Sequence, residues 1–126
     1  METKYTHKTF SFTVDTPGIS YKKKFDLDKN IRVVTGLLIS GDDPKKVYYR
    51  GSQRIELNGE ELYPEDFESK LLMSGISVSP SDKFADLGNG VLAGNGELKI
   101  LYKDTENTVV PFEPYKVSVV LKCELQ

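Results

Sequence analysis

The sequence Ile31-Arg32-Val33-Val34-Thr35-Gly36-Leu37-Leu38-Ile39-Ser40 decides the fold class of this chain. Its alternate positions are apolar on one face, at Val33, Leu37 and Ile39, and the second face carries Val34 and Leu38. Successive side chains of a strand point to opposite faces of a sheet, so a strand that is apolar on both faces is buried on both sides. We therefore predict a strand at the centre of a sheet.

Other segments on either side of this strand also alternate between apolar and polar residues. They are Thr9 to Val14, Ile19 to Phe25, Leu98 to Lys103 and Lys116 to Glu124. Turn sequences separate the segments, including Asp15-Thr16-Pro17-Gly18, Gly41-Asp42-Asp43-Pro44 and Asn58-Gly59. About eight short strands with turns at this spacing indicate an all-β protein. We predict an antiparallel β-sandwich, jelly-roll-like, with one short helix.

The remaining segments receive more local predictions. Val47 to Leu57 reads as a strand with a bulge or break at Gly51-Ser52, and Ile76 to Ser79 as a short strand. Residues 64–73 are the helix candidate, because Pro64 suits a first helical position and Phe67 and Leu71 lie four residues apart. Residues 80–96 read as a long loop, with room for a short strand at Val91 and Leu92.

Composition limits the classes of function. The 126 residues suit a single domain spanning 1–126, with residues 1–8 as a flexible N-terminal arm or a terminal strand. The chain has one histidine (His7), one cysteine (Cys123) and no tryptophan. This supply is too small for a zinc site or a Ser-His-Asp triad, so we predict no catalytic residues, no metal and no cofactor. Cys123 continues the apolar alternation of the last strand and is predicted to be a buried thiol.

Two fragments resemble ligand-binding motifs but fail at defined positions. Asp26-x-Asp28-x-Asn30 begins like an EF-hand loop, yet Ile31 and Leu37 replace its glycine and its bidentate glutamate. An Asx-rich turn is the preferred interpretation, with a looser surface calcium site as the alternative. The segment Gly88 to Ala93 matches a loose dinucleotide fingerprint, but a strand rather than a helix follows it. A contact loop spanning Gly88 to Gly96 is the preferred reading there.

Acidic residues concentrate around the predicted Asn58-Gly59 turn. They are Glu56, Glu60, Glu61, Glu65, Asp66 and Glu68. Paired carboxylates can hydrolyse glycosidic bonds when their separation is suitable. Turns and helix starts carry carboxylates in any case, so a carboxylate-based hydrolase is the least favoured function.

Three surfaces are the candidate interaction sites. The first is the lysine run Lys22, Lys23 and Lys24, which suits an exposed edge strand. The second is the sequence Tyr48-Tyr49-Arg50, where adjacent tyrosines in a strand would place one ring outside the core. The third is the glycine-rich loop with its two asparagines, Asn89 and Asn95.

Charge is distributed unevenly along the chain. Residues 1–54 hold 11 Lys and Arg against 6 Asp and Glu, whereas residues 55–126 hold 6 against 13. Mixed solvated faces are the simplest interpretation, and head-to-tail association of basic with acidic surfaces is the alternative. We expect no nucleic-acid binding, since the acidic half would oppose phosphate.

Residues 31–40, 49–52 and 55–64 together resemble the small β-sandwich structural proteins of bacteriophage virions. The resemblance covers about half of the chain and implies assembly through strand edges and loops. It favours a non-enzymatic structural or interaction protein that associates with itself or with a larger assembly such as a virion. A carbohydrate-binding β-sandwich module is the alternative. Without an apolar segment near Met1, we expect cytoplasmic synthesis and no membrane partner.

Overall fold

The computed structural model describes residues 4–73 and 84–125. They form eight strands, one α-helix and one 3₁₀ turn. The strands are β1 (Tyr5–Val14), β2 (Ser20–Asp26), β3 (Ile31–Gly41), β4 (Gly51–Leu57), β5 (Glu60–Glu68), β6 (Ala85–Leu92), β7 (Glu97–Asp104) and β8 (Tyr115–Leu125). The helix α1 (Pro44–Arg50) joins β3 to β4, and the 3₁₀ turn Ser69–Leu72 follows β5.

The strands form two four-stranded antiparallel sheets that pack against each other, as the alternating apolar pattern predicts. One sheet has the order β1-β8-β3-β6 and the other the order β2-β7-β4-β5. β1 pairs with β8, β2 with β7, β3 with β6 and β4 with β5, so the chain is one long hairpin wound around the sandwich. This eight-stranded arrangement is a jelly roll.

The inward faces of both sheets supply the core. Phe10 and Phe12 of β1 lie opposite Val119 and Val117 of β8, and Leu57 of β4 lies opposite Leu98 of β7. Fully buried side chains include Val14, Val34, Leu37, Ile55, Leu57, Leu98, Val117 and Val119. The predicted central strand is confirmed as β3, which lies between β8 and β6.

The connections between strands gather at two ends of the sandwich. Val14 of β1 and Gly41 of β3 both lie beside the start of β8, and Asp104 of β7 lies beside Gly51 at the start of β4. This end, which we name the helix end, carries the β1–β2 turn, α1 and the β7–β8 loop. At the hairpin end, Asn95 N–H donates to Asn58 Oδ1 at 3.1 Å.

The hairpin turn at Asn58-Gly59 is confirmed, with φ values of 54° and 76°. Two successive left-handed residues fit a tight turn of the I′ type. The edge position predicted for the lysine run is also confirmed, because β2 ends its sheet.

The predicted helix over 64–73 is wrong. Pro64 to Glu68 belong to edge strand β5, and only Ser69–Leu72 are helical, as a 3₁₀ turn. A spacing of four residues satisfies a strand as well as a helix, and Phe67 pairs with Gln53 of β4. Pro64 and the left-handed Asp66, with φ of 66°, suit an edge strand with a bulge.

Three further predictions need correction. Residues 47–50 lie in α1 rather than in a strand, so Gly51 marks a change from helix to strand. Within the predicted loop over 80–96, residues 85–92 form strand β6, and residues 80–83 lie outside the described residues. Tyr5 to Lys8 lie in β1 and not in a flexible arm, because they pair with β8. The predicted strand at residues 76–79 lies outside the described residues.

Candidate interaction surface

Helix α1 has few of the features that stabilise an isolated helix. It has seven residues, fewer than the ~12–15 that an isolated helix needs in water. Pro44 occupies its first turn, and the Lys46 ammonium forms an ion pair with Asp43 just before it. Lys46, Val47 and Arg50 face inward, at spacings of three and four residues. Tertiary contacts therefore hold α1 in place.

The main anchor of α1 is a buried ion pair between Arg50 and Asp104. Arg50 Nε donates to Asp104 Oδ1 at 3.0 Å, and its NH2 group donates to Oδ2 at 2.9 Å. Both side chains are 0% exposed. A bidentate Arg–carboxylate pair fixes orientation as well as distance. It thus joins the last residue of α1 to the last residue of β7.

Other groups complete this buried network. Tyr115 OH donates to Asp104 Oδ1 at 2.7 Å and lies 2.9 Å from Tyr102 OH. Gly18 N–H donates to Asp104 Oδ2 at 3.0 Å, which ties in the β1–β2 turn. Arg50 also donates from NH1 to the Val110 carbonyl at 3.0 Å. Within the described residues, every buried side-chain nitrogen or oxygen has a partner.

The network sets the ionisation of its members. Burial opposes the charged form of Asp104, but the hydrogen bonds from Arg50, Gly18 and Tyr115 outweigh it and lower the pKa below the usual 3.8. Burial raises the pKa of both Tyr102 and Tyr115 well above the usual 10.0. At neutral pH the network is therefore one carboxylate, one guanidinium and two neutral phenols.

Above this anchor, α1 presents two tyrosines to solvent. Tyr48 and Tyr49 are 45% and 47% exposed, and their rings meet edge to face with centroids 4.9 Å apart. Asn107 donates to the Tyr49 carbonyl at 3.3 Å and holds the β7–β8 loop, with its exposed Val109, beside the helix. Exposed Leu71 lies on the 3₁₀ turn, which packs against α1. We name these four side chains the tyrosine surface.

The prediction that Arg50 joins the tyrosines in an exposed surface is wrong. Arg50 is 1% exposed, because residues 47–50 form a helix and its side chain points to Asp104 rather than outward. Arg50 instead positions the tyrosines from below. Its guanidinium also lies over the Phe112 ring, 5.2 Å from the ring centre.

The other candidate residues lie elsewhere on the sandwich. Lys22 and Lys24 point outward from edge strand β2, whereas Lys23 is half-buried on the opposite side of that strand. Asn95 lies in the β6–β7 turn at the hairpin end, where its side chain accepts from Glu97 N–H at 2.9 Å. Asn89 lies in β6, and its side chain is outside the described part of the structure. The structure therefore separates these residues from the tyrosine surface.

The two fragments that resemble ligand-binding motifs lie in ordinary parts of the sandwich: one joins β2 to β3, and the other lies in strand β6. Asp28 of the EF-hand-like fragment forms an ion pair with Lys8. Within residues 4–73 and 84–125, no three His, Cys, Asp or Glu side chains form a group that could hold a metal ion. The fingerprint-like segment lies in β6 and is followed by a turn and β7, so no helix N-terminus adjoins it.

The acidic cluster also includes a guanidinium. Glu56 and Glu61 lie opposite each other on β4 and β5. Arg54 lies 3.4 Å from the Glu56 carboxylate and 2.8 Å from that of Glu61. Both carboxylates are thus ion-paired on a sheet face.

Cys123 is 0% exposed in β8, as predicted, and burial raises its thiol pKa to about 11. Because thiolate is the reactive form, we expect Cys123 to resist alkylation in the native protein near neutral pH. Its modification by iodoacetamide, followed by mass spectrometry, should be at least ~100-fold slower in buffer than in urea. Equal rates would show that the thiol is accessible in the folded state.

Comparisons with known proteins add no relative: no protein-family model, curated protein or solved structure matches the chain. Among the described residues, no helix is long and apolar enough to cross a membrane.

Proposed function

We propose that this protein is a non-enzymatic structural subunit that acts through protein–protein contacts within a virion or another assembly. One observation carries the proposal: Tyr48 and Tyr49 stand exposed on a short helix that a fully buried ion pair holds in place. Tyrosine is enriched at protein interfaces, where its ring supplies apolar area and its hydroxyl a hydrogen bond.

The anchoring of α1 favours a binding role for these rings. Association costs free energy for every flexible segment that it orders. Arg50 joins α1 to β7, and Asn107 holds the β7–β8 loop against the helix, so this segment is ordered before any partner arrives. A partner therefore gains the contact area of the tyrosine surface at a small ordering cost.

A protein partner suits this surface better than a sugar. The planes of the Tyr48 and Tyr49 rings are inclined at 72°, so the rings do not make one flat platform for a pyranose. Jelly rolls build viral capsid subunits as well as lectin domains, so the fold alone does not choose between these functions. The inclined rings, beside exposed Leu71 and Val109, support assembly through protein contacts.

The tyrosine surface can be tested with the double variant Tyr48→Ser/Tyr49→Ser. We expect the wild-type chain to associate in sedimentation velocity at high concentration in about 0.5 M salt, which screens charge contacts. The variant should weaken this association by at least about tenfold, since hot-spot aromatics each contribute ~2 kcal/mol or more. Tyr5→Ser/Leu92→Ser is the matched control, because it removes two exposed apolar side chains outside the helix end.

The thermal midpoint of the double variant should stay close to that of the wild type, because both rings are exposed. A wild-type chain that is monomeric at its highest soluble concentration, and that recovers no partner through Tyr48 and Tyr49, would contradict the proposal. So would equal association of the wild type and the tyrosine variant.

A further inference from the structure

The outward face of the β2-β7-β4-β5 sheet separates its charges. One row of outward side chains crosses all four strands. In the strand register, Lys24 lies opposite Lys99, Lys99 lies opposite Glu56, and Glu56 lies opposite Glu61. The row therefore has two positive charges on the β2 side and two negative charges on the β5 side. From β5 to β2 the same row begins with two negative charges and ends with two positive ones. Two copies of the row that run in opposite directions therefore place opposite charges together.

Neighbouring residues extend this separation. Lys22 and Lys103 lie on the basic side with Lys24 and Lys99, and these four residues are the basic strip. The acidic strip is Glu61, Glu65, Asp66 and Glu68 of β5. Glu97 lies at the hairpin end of the basic side, where it pairs with Lys24 and Lys99. Even so, most of the positive charge lies on one half of the face and most of the negative charge on the other.

A shallow groove lies beside the basic strip and is lined by Lys22, Lys24, Lys99, Arg54 and Glu56. Leu101 lies between Lys22 and Arg54 in the register, and the groove around them has a volume of about 260 Å³. Arg54 already pairs with Glu56 and Glu61. Within residues 4–73 and 84–125, Lys22 and Glu65 form no ion pair within 4.0 Å. Each strip thus retains a charge that an outside partner can use.

We propose that this face binds the same face of a second copy of the chain. The proposal rests on the function proposed above and names one of its partners. Consider a two-fold axis that runs parallel to the strands, between β7 and β4. It lays the second copy over the first with its strands in the reverse order, and it leaves the position of each residue along the strand direction unchanged. It therefore places each basic strip over the partner copy's acidic strip, so that Lys24 meets Glu61 and Lys22 meets Glu65. An axis across the strands would place like charges together.

Face-to-face contact suits these strands better than pairing at their edges. Three consecutive lysines occupy the free edge of β2, and β5 carries Pro64 and a left-handed Asp66. Charge, proline and bulges all discourage backbone pairing with another sheet. The sheet face keeps the same charges but requires no backbone hydrogen bonds.

The size of the face sets the strength of the contact. Four strands of about seven residues cover roughly 19 by 23 Å, which is less than the ~800 Å² per partner of a standard interface. Interfacial ion pairs add specificity more than affinity, because both charges lose water. The dimer is therefore weak, and salt dissociates it.

Charge-reversal mixing tests this contact directly. Lys22→Glu/Lys24→Glu makes all four contacting positions (22, 24, 61 and 65) acidic, and Glu61→Lys/Glu65→Lys makes all four basic. In sedimentation equilibrium at low salt, each variant alone should associate about 100-fold more weakly than the wild type, because like charges meet. An equimolar mixture should recover a 1:1 dimer, since positions 22 and 24 of each chain then meet opposite charges at positions 65 and 61 of the other. The matched control, Lys116→Glu/Lys122→Glu on the other sheet, should dimerise like the wild type.

Several outcomes would overturn the inference. They are a wild-type monomer at low salt, two variants that dimerise unchanged, and a mixture that does not recover the dimer. Single variants Lys24→Glu and Glu61→Lys repeat the test if a double variant does not fold by circular dichroism. If Tyr48→Ser/Tyr49→Ser abolishes association while the charge variants do not, the inference fails and the proposed function stands.

Discussion

Replacing Asp104 by alanine is expected to lower the free energy of unfolding by about 3–5 kcal/mol, the usual cost of leaving a buried charge without its partner. The Arg50 guanidinium is 0% exposed and, among the described residues, would keep only the Val110 carbonyl at 3.0 Å as a hydrogen-bond acceptor. Tyr115 OH and Gly18 N–H would also lose their acceptor. Urea denaturation followed by circular dichroism measures the loss.

The double variant Arg50→Met/Asp104→Leu is the control for this interpretation. It removes both charges and fills similar volume, so it should be more stable than Asp104→Ala alone. If Asp104→Ala costs less than about 1 kcal/mol, the ion pair does not anchor the helix end as described.

The free energy of unfolding that the Asp104 carboxylate contributes depends on pH, because the carboxylate can be protonated. Its folded pKa lies below the usual 3.8, so the carboxylate stabilises the fold above that pH. The contribution falls as pH drops through the folded value. The wild type should therefore lose part of its advantage over Asp104→Asn between about pH 4 and pH 2, and keep it from pH 5 to 7.

The sandwich was predictable because its signals are local. The apolar residues on both faces of Ile31 to Ser40 identify a strand at the centre of a sheet, and Asn58-Gly59 specifies a tight turn. Two elements were not predictable: residues 47–50 were expected to form a strand and are helical in α1, whereas residues 64–68 were expected to form a helix and lie in strand β5. Lys45 to Arg50 contain β-branched and aromatic residues that favour strands, and their helix depends on Arg50 reaching Asp104 from a distant strand. Tertiary contact overrode propensity at both places.

Of the candidate site, the sequence alone indicated the exposed tyrosines but not their anchor. One signal was available: Asp104 continues the inward positions Leu98, Ile100 and Tyr102 of β7. A carboxylate at an inward position requires a buried cation, and Arg50 is that cation. The charge order of the sheet face needed the register of four strands, which neither turn chemistry nor periodicity supplies.

Gly51→Ala is expected to destabilise the protein by about 2–4 kcal/mol, through overpacking and a lost buried hydrogen bond. Gly51 has an ordinary φ of −97°, so backbone strain is not the cause. A methyl group there would lie 2.2 Å from Tyr102 OH and 2.7 Å from Ser69 Oγ. Tyr102 is 0% exposed, so its ring has little room to move without separating its hydroxyl from Tyr115.

A double-mutant cycle with Tyr102→Phe identifies the atom responsible. Removing the hydroxyl removes the closest contact, although Tyr102 Cζ remains at 2.9 Å from the added methyl. Tyr115 OH still donates to Asp104 when Tyr102 is phenylalanine. Gly51→Ala should therefore cost about 1 kcal/mol less in the Tyr102→Phe background than in the wild type, measured by urea denaturation. An equal cost in both backgrounds would show that the tyrosine hydroxyl does not exclude a side chain at position 51.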